Sequence, residues 1–238
     1  MKAMILAAGL GTRLKPITDS KPKALVEIKG NTLLQIVLTK MKNSGFDEVI
    51  INVHHFADKI IEYLNSKNNF GMHIHISDER GLLLDTGGGL KKASGFFNDG
   101  KSFLVYNVDV LSNIDLHLLY RTHLLSNSLV TLAVRNRDSQ RYFLFNKENI
   151  LCGWKNSKTG EAKITRQSES KLKPLANSGI QIIDPQIFNL MPDEKVFSII
   201  DLYLRLAPEY KISAFIHDDN YWLDLGKKEN LAEAENLL

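Results

Sequence analysis

The sequence of 238 residues has a single cysteine, Cys152, and no long hydrophobic run. One cysteine excludes an internal disulfide framework and is typical of proteins from a reducing compartment. No stretch approaches the roughly 20 apolar residues that a membrane-spanning helix needs. The apolar residues 3–8 are too few for a signal peptide, and a glycine- and arginine-bearing segment follows them instead of a cleavage site. We therefore predict a cytoplasmic protein without a membrane partner.

An excess of charge of one sign is also lacking. The chain has 30 basic and 27 acidic residues, which gives a formal net charge of +3. This excess is too small to indicate a nucleic-acid partner, and we attribute it to the cationic loop described next. The length and the hydrophobic fraction of 44% suit one large α/β domain or two small ones. These features do not predict an oligomeric state.

The most informative segment is at the N-terminus. Residues 3–8 predict a buried strand. Gly9 and Gly11 follow it, and backbone without side chains can approach a ligand closely and present its N–H groups. Arg13 adds a planar guanidinium suited to phosphate oxygens, and Lys23 adds an ammonium group. The segment therefore predicts a strand that leads into a polyphosphate-binding loop.

Two familiar phosphate loops do not fit this segment. A dinucleotide-binding fingerprint needs a third glycine where Leu14 stands, and a Walker A loop needs a Gly-Lys-Ser/Thr sequence that is absent. Gly9 and Gly11 alone are also compatible with an ordinary turn between a strand and a helix. The cationic residues Arg13 and Lys23 argue for the functional interpretation.

Longer motifs carry a resemblance to a known family. They are Gly9-x-Gly11-Thr12-Arg13-x-x-Pro16-x-Thr18, Lys21-Pro22-Lys23-x-Leu25, Thr86-Gly87-Gly88-Gly89 and Trp222-Leu223-Asp224-Leu225-Gly226. Together they resemble the sugar-1-phosphate nucleotidyltransferases, and most of all the short bacterial type that uridylylates N-acetylmuramic acid 1-phosphate. The resemblance extends over essentially the whole chain and is weakest between residues 135 and 176.

Strand-like and helix-like segments alternate along the chain, which predicts an α/β fold. We expect a doubly wound, mostly parallel Rossmann-like sheet with helices on both faces and a small β-rich acceptor-binding part. The expected single domain comprises a nucleotide-binding half, 1–134, and a sugar-phosphate-binding half, 135–238. The apolar patterns predict strands at 49–53, 72–76, 103–106, 129–134 and 212–216, helices at 32–44, 57–66 and 115–126, and a hairpin of 142–145 with 150–154.

Four segments have less regular patterns. Residues 86–89 are expected to form a loop before a helix that begins at Leu90, with a flexible linker as the alternative. Residues 155–173 are polar without a clear period, as in an exposed loop or a lid over the acceptor sugar. Residues 188–206 are expected to be mostly helical, and residues 221–226 to open the last helix.

Two aspartates are candidate metal ligands. Asp109 follows a buried strand, at the sheet edge where open α/β folds bind ligands. A carboxylate that faces polyphosphate needs a cation between them, and magnesium prefers such oxygen ligands. The resemblance implies that Asp224 is the second metal aspartate. The alternatives are a loop cap for Asp109 and a helix N-cap for Asp224, and Val108 stands where the family usually has glycine.

The resemblance also implies the remaining site residues. The expected nucleotide-binding residues are Leu6, Ala7, Ala8, Gly9, Gly11, Thr12, Arg13, Thr86, Gly87 and Gly88. The expected sugar-phosphate-binding residues are Glu79, Asn177, Ser178 and Gly179. The expected catalytic residues are Arg13, which would hold the leaving pyrophosphate, Lys23, which would hold the attacking phosphate and the α-phosphate, and Asp109.

Several other polar residues are weaker candidates. Lys163 and Arg166 are possible contacts of the sugar phosphate, although solvated surface charge is the simpler interpretation. His73 and His75 lack the carboxylate or thiolate support of a zinc site, so we expect them to be surface residues.

These features predict a Mg²⁺-dependent enzyme whose partners are a nucleoside triphosphate and a sugar 1-phosphate. UTP and N-acetylmuramic acid 1-phosphate are the expected pair. One alternative is transfer from dTTP, GTP or CTP to another hexose 1-phosphate or to a phospho-alcohol. The other is a non-catalytic nucleotide-sensing subunit, against which the joint presence of the two cations and two aspartates argues.

Overall fold

The structure is a computed structural model that describes residues 1–237. Within that range the strands are β1 (Lys2–Leu6), β2 (Glu27–Ile28), β3 (Asn31–Thr32), β4 (Glu48–Val53), β5 (His73–Asp78), β6 (Phe103–Asn107), β7 (Val110–Ser112), β8 (Val130–Arg135), β9 (Arg141–Phe145), β10 (Leu151–Asn156), β11 (Ala162–Ile164), β12 (Lys173–Ile183), β13 (Ile212–Ile216) and β14 (Trp222–Asp224). The α-helices are α1 (Leu33–Asn43), α2 (Ala57–Ser66), α3 (Asp85–Lys92), α4 (Leu116–Ser126), α5 (Ile199–Leu206) and α6 (Glu229–Leu237). Over the described part of the chain, every helix is too short or too polar to span a bilayer.

The chain divides into two compact units. The first contains Met1–Leu84, Val105–Leu116 and the residues from Asn220 onward, and the second contains Asp85–Leu104 and His117–Asp219. Each unit is therefore assembled from segments that are far apart in sequence. The proposed functional division at residue 134 stays a prediction, because these units are defined by packing alone.

Parallel strands form the centre of the first unit. β1 pairs in parallel with β4, and β4 pairs in parallel with β5. Ala3, Met4 and Ile5 of β1 are fully buried, as expected for a strand with apolar side chains on both faces. Helix α1 begins at Thr32, whose hydroxyl accepts a hydrogen bond from the Gln35 N–H at 3.1 Å.

A short antiparallel ladder of β7 and β14 completes the first unit and contradicts one expectation. Residues 221–226 do not open the last helix, because β14 pairs with β7 and α6 begins only at Glu229. The reason is packing. Leu223 and Leu225 are buried in a cluster with Leu111 and Leu14, and the strand conformation allows this.

Antiparallel strands predominate in the second unit. β8 and β9 both pair antiparallel with β12, and β9, β10 and β11 follow one another as an antiparallel series. The exception is β13, which pairs in parallel with β8. The predicted hairpin is thus confirmed as β9 and β10. The predicted α/β class with a parallel Rossmann-like sheet and a β-rich part is also confirmed.

Of three local expectations for the second unit, one was wrong and two held only in part. Residues 86–89 are not a loop before a helix at Leu90, because α3 already begins at Asp85. Residues 155–173 contain the end of β10 and all of β11, whose exposed residues give no apolar period. Residues 188–206 are helical only at their two ends, since a 3₁₀ helix ends at Leu190 and α5 begins at Ile199.

Candidate active site

The loop after β1 is held in place by one amide side chain. Asn52, near the end of the neighbouring strand β4, accepts hydrogen bonds from the N–H groups of Ala7 at 2.7 Å and Ala8 at 3.3 Å. The Asn52 side-chain amide donates in turn to Glu79 Oε1 at 2.8 Å. Leu84 N–H donates to the other Glu79 oxygen at 3.2 Å. This buried polar chain fixes where the loop leaves the sheet.

Asn52 is the residue that the sequence analysis missed, although one signal was present. It is the only polar residue inside the apolar strand β4 past Glu48, and a buried amide is tolerated only when it is hydrogen-bonded. Glu79 was predicted to contact the acceptor sugar. It is 1% exposed and both of its carboxylate oxygens accept hydrogen bonds from this chain, so its predicted sugar contact stays a prediction.

The two glycines of the loop have different constraints. Gly11 has a φ of 68°, in the left-handed region, and a Cβ there would lie 3.0 Å from Thr18 Cγ2 and 3.2 Å from Lys23 Cβ. Thr18 also donates from its hydroxyl to the Gly11 carbonyl at 2.8 Å. Gly9 is exposed, and a Cβ there would meet only the ammonium group of Lys23, at 3.8 Å. Gly11 is needed for the turn, whereas Gly9 keeps the space beside Lys23 open.

The N–H groups of this loop divide into two sets. Those of Ala7 and Ala8 are bonded to Asn52, as described. Those of residues 9–11 donate to no acceptor anywhere in residues 1–237. Unbonded N–H groups beside a strand end and two cations can bind phosphate oxygens.

Four charged side chains from three distant segments meet next to this loop. Lys23 Nζ donates to Asp109 Oδ2 at 2.7 Å, and Arg13 Nη1 donates to Asp224 Oδ2 at 2.9 Å. A longer ion pair of 3.8 Å joins Arg13 Nη2 to Asp109 Oδ2. Arg13 and Asp224 are 211 positions apart, so only the fold brings them together.

The strands β7 and β14 explain how the two aspartates meet. Asp224 is the register partner of Val110, the residue that follows Asp109. Leu225 N–H donates to the Asp109 carbonyl at 2.8 Å, and Gly226 N–H donates to Asp224 Oδ1 at 2.9 Å. Asp224 therefore lies in a strand, which excludes the alternative of a helix N-cap.

Gly226 leaves space that the charged groups share. A Cβ at this position would lie 2.5 Å from Arg13 Nη2, 2.8 Å from Asp224 Oδ1 and 2.9 Å from Asp109 Oδ2. One carboxylate oxygen of each aspartate thus borders the same small space. The signature segment 222–226 ends in glycine for this steric reason.

The electrostatics of the cluster follow from these contacts. The hydrogen bond to Asp224, together with the negative charges of Asp224, Asp109 and Glu229, raises the pKa of Arg13 against the opposing effect of burial. Asp109 is 8% exposed, and its carboxylate is compensated by Lys23. Two cations and two anions thus balance each other in the polypeptide itself.

The donor set fits one kind of metal ion. Among residues 1–237 no group of three or more histidine, cysteine, aspartate or glutamate side chains is arranged to hold a metal. Two carboxylates that border one space suit Mg²⁺, which usually takes one or two protein carboxylates and completes its shell with water and substrate phosphates. They do not suit zinc, which needs three or four protein ligands.

In the second unit, the predicted nucleotide contacts at 86–88 are engaged in packing. The N–H groups of Gly87 and Gly88 both donate to the Phe197 carbonyl, at 2.9 Å and 3.3 Å. The Thr86 hydroxyl accepts from the Ile199 N–H at 3.0 Å. A Cβ on Gly87 would lie 2.4 Å from the Phe197 ring. The nucleotide-binding role of these residues stays a prediction.

The predicted sugar-contacting residues of the second unit lie in β12. Ser178 is fully buried and its hydroxyl is 2.7 Å from His217 Nε2. Gly179 has a φ of 72°, and its N–H donates to the Asn177 side-chain oxygen at 3.0 Å. Burial, and then the nearby positive charges of two arginines, lowers the pKa of His217 to about 4. These internal hydrogen bonds fix the corner at residues 177–179, and its contact with a sugar stays a prediction.

The weaker candidates have local partners. Arg166 donates to the carbonyls of Ala207 at 2.7 Å and Tyr210 at 3.1 Å, and Lys163 lies 3.6 Å from Glu161. His73 and His75 are exposed on β5, as expected for surface residues.

The sequence of the chain is similar to those of known proteins. The family model described as nucleotidyl transferase matches residues 2–238. The chain is 29% identical to the N-acetylmuramate alpha-1-phosphate uridylyltransferase of Caulobacter vibrioides, over 98% of this chain and 95% of that one. It is 31% identical to the D-glycero-alpha-D-manno-heptose 1-phosphate guanylyltransferase of Campylobacter jejuni, over 97% and 96%.

Two further comparisons concern length and fold. The chain is 29% identical to the UTP–glucose-1-phosphate uridylyltransferase of Synechocystis, but it spans only 60% of that protein. The solved structure of HddC from Yersinia pseudotuberculosis complexed with GMP-PN is similar with a TM-score of 0.80 and 22% identity, over 99% of this chain and 98% of that one. At this identity the structural likeness shows the fold alone.

Proposed function

Because the chain belongs to the nucleotidyl transferase family, we propose that it joins a nucleoside triphosphate to a sugar 1-phosphate and releases pyrophosphate. Its relatives and its fold identify it as a sugar-1-phosphate nucleotidyltransferase. The observation that carries the proposed mechanism is the convergence of Arg13, Lys23, Asp109 and Asp224 beside a loop with unbonded N–H groups.

The proposed reaction is a single displacement. An oxygen of the sugar phosphate attacks the α-phosphorus of the triphosphate, the new phosphorus–oxygen bond forms in line with the bond to the β-phosphate, and pyrophosphate leaves with its electron pair. A phosphate oxygen is already ionised at neutral pH, so no general base is needed. Catalysis then consists of positioning and charge stabilisation.

The N-terminal loop supplies the positioning in this proposal. The N–H groups of residues 9–11 hold oxygens of the triphosphate, and the Arg13 guanidinium holds the leaving pyrophosphate. The Lys23 ammonium holds the α-phosphate and the attacking phosphate, where negative charge accumulates in the transition state. Gly9 allows the phosphates to reach Lys23, since its lack of a side chain leaves that ammonium group accessible.

Both cations must change partners for this to happen. In the polypeptide alone, Lys23 is bound to Asp109 and Arg13 to Asp224. Asp109 and Asp224 would hold Mg²⁺, which when bound neutralises phosphate charge and supplies Lewis-acid catalysis. The two aspartates thereby keep a positive partner while Arg13 and Lys23 bind phosphate.

The identity of the substrates is the finer part of the proposal. UTP and N-acetylmuramic acid 1-phosphate are supported by the similarity to the Caulobacter vibrioides protein over nearly the full length of both chains. The similarity to a guanylyltransferase of Campylobacter jejuni favours GTP and a heptose 1-phosphate as the second candidate pair. With UTP and N-acetylmuramic acid 1-phosphate as substrates, the proposed role is in cell-wall recycling and the proposed location is the cytoplasm.

The decisive experiment measures pyrophosphate release from UTP, dTTP, GTP and CTP, each paired with a panel of sugar 1-phosphates. Each pair is assayed with Mg²⁺ and with a chelator. We expect Mg²⁺-dependent release with UTP and N-acetylmuramic acid 1-phosphate. Release with another pair would keep the mechanism and replace the substrates. Nucleotide binding without release from any pair would support the nucleotide-sensing alternative.

A further inference from the structure

A cavity of about 500 Å³ opens in the second unit between the end of β8 and the β9–β10 hairpin. Its lining includes Arg137, Asp138, Tyr142, Lys155 and Ser157. None of these residues belongs to the N-terminal loop or to the four charged side chains beside it. The lining is polar, and two of its side chains are cationic.

Hydrogen bonds hold the walls of this cavity in place. Arg137 Nη2 donates to the Asn177 carbonyl at 3.0 Å. The Tyr142 hydroxyl accepts from the Ser139 N–H at 2.8 Å, and the Ser157 hydroxyl donates to the Ser139 carbonyl at 3.0 Å. The segment that carries Arg137 is therefore tied both to the hairpin and to β12.

Lys155 is the cation that is available to a ligand. It is the register partner of Tyr142, and its ammonium lies 5.3 Å from the centre of that ring, a cation–π contact. Within residues 1–237 its ammonium makes no hydrogen bond and no ion pair. An ammonium held over an aromatic ring, at the wall of a cavity, is placed to bind an anion without first leaving a carboxylate.

The sequence segment that contributes most of the lining is predominantly basic, although Asp138 in the lining is acidic. Residues 135–173 contain ten lysines and arginines against four aspartates and glutamates, a net charge of +6 in a chain whose total is +3. The excess positive charge is therefore not confined to the N-terminal loop, which corrects the attribution made from the sequence. A positive potential at this part of the second unit attracts anionic ligands.

The cavity adjoins the segment that the proposed function assigns to the acceptor sugar. Arg137 binds the carbonyl of Asn177, the first of the three predicted sugar-contacting residues of β12. We infer that Lys155 determines acceptor specificity by binding a carboxylate substituent of the sugar. This inference rests on the proposed function. N-Acetylmuramic acid has such a substituent, a lactyl ether, which N-acetylglucosamine lacks.

The test compares two acceptors that differ only in this group. For Lys155→Gln we expect kcat/KM with N-acetylmuramic acid 1-phosphate to fall about 10–100-fold, the usual effect of losing one charge-assisted hydrogen bond. With N-acetylglucosamine 1-phosphate we expect a change below about twofold, because that sugar has no carboxylate. Lys155→Arg, which keeps the charge, should retain most of the preference. Lys158→Gln is the matched control, since Lys158 is an exposed lysine three positions further along.

Equal losses with both acceptors would overturn the inference, because Lys155 would then serve the phosphate that both share. An unchanged preference in Lys155→Gln would overturn it as well. Calorimetric binding of the two sugar phosphates to the wild-type protein and to Lys155→Gln separates this inference from the proposed function. Charge-dependent binding of the acidic sugar without turnover would support the inference while contradicting the proposed reaction.

Discussion

Two glycine-containing segments, one in each unit, have opposite uses in this molecule. In the first unit, the N–H groups of residues 9–11 have no acceptor within residues 1–237, and Gly9 keeps the Lys23 ammonium open. In the second unit, the N–H groups of Gly87 and Gly88 are bonded to the Phe197 carbonyl, and the Phe197 ring fills the space beside Gly87.

The difference gives a criterion that separates the proposed binding loop from a packing contact. Both segments are rich in glycine and both belong to the family motifs. The destination of the backbone N–H groups separates them, since a donor that already has a partner gains little from a ligand. Three substitutions test this comparison, and a fourth tests the burial of a histidine in the second unit.

The largest effect is expected from Lys23→Ala. In the proposed mechanism the Lys23 ammonium stabilises charge in the transition state, so its loss should lower kcat/KM by about 10³-fold, or about 4 kcal/mol. The protein should still fold, because Arg13 remains within 3.8 Å of the Asp109 carboxylate. Lys21→Ala is the matched control and should keep most activity, since Lys21 is paired with Glu27. Steady-state kinetics and thermal melting of both variants check this, and full activity in Lys23→Ala would contradict the assigned role.

The packing role of the second segment is tested by Gly87→Ala. The added methyl group would lie 2.4 Å from the Phe197 ring and 2.9 Å from the Phe197 carbonyl oxygen, so the free energy of unfolding should fall by about 1–3 kcal/mol. Denaturant unfolding measures this loss. In the double variant with Phe197→Ala, the Gly87→Ala methyl group should lower the free energy of unfolding by less, because the ring that it would meet is absent. A stable Gly87→Ala variant that no longer binds nucleotide would break the comparison and assign this segment to the ligand.

Gly9→Ala is the counterpart in the first unit. Its Cβ would make an ordinary contact of 3.8 Å with Lys23 Nζ, so stability should be unchanged. The methyl group would obstruct phosphate at Lys23, and we expect kcat/KM to fall about tenfold, or about 1.4 kcal/mol. In steady-state kinetics and denaturant unfolding, Gly9→Ala should therefore lower kcat/KM without loss of stability, whereas Gly87→Ala should lower the free energy of unfolding. Loss of stability in Gly9→Ala with normal kinetics would contradict this account of the loop.

The smallest effect is expected from His123→Gln, which should change the pH dependence of stability. Burial lowers the pKa of His123 to about 4, below the ordinary value of about 6.5. As the pH falls, His123 is therefore protonated in the unfolded chain before it is protonated in the folded protein. Its contribution to the free energy of unfolding is fully present above pH 6.5 and is lost as the pH falls. Between pH 7.5 and pH 6.0 we expect His123 to account for a loss of about 1 kcal/mol. In His123→Gln this part of the pH dependence should disappear. The exposed His75→Gln is the control and should retain it.

Much of the fold could be predicted from the sequence, because apolar periodicity reports burial directly. The predicted bounds of 57–66 and 212–216 match α2 and β13. Apolar periodicity did not predict strands whose residues are all exposed. All three residues of β11 are exposed, and the strand exists because Gly153 lets the backbone of Lys163 approach closely.

The sequence was enough to predict that four charged side chains lie together, but not which cation pairs with which carboxylate. Charge and motif pointed to Arg13, Lys23, Asp109 and Asp224, and the structure brings these four together. Which cation binds which carboxylate depends on the β7–β14 register, which has no local sequence signal. Asn52 had a local signal, as a polar residue in an apolar strand, but its partners Ala7 and Ala8 lie 45 and 44 positions away and could not be inferred from that signal.

The internal pairing of the four charges has a thermodynamic consequence. A polyphosphate that binds by itself takes Arg13 and Lys23 away from the two aspartates and leaves their negative charges beside its own. A divalent cation that binds by itself leaves the two basic groups without partners. Each ligand therefore lowers the cost of binding the other, and reciprocity requires the two enhancements to be equal. We therefore expect metal and nucleotide to bind this protein more tightly together than either binds alone.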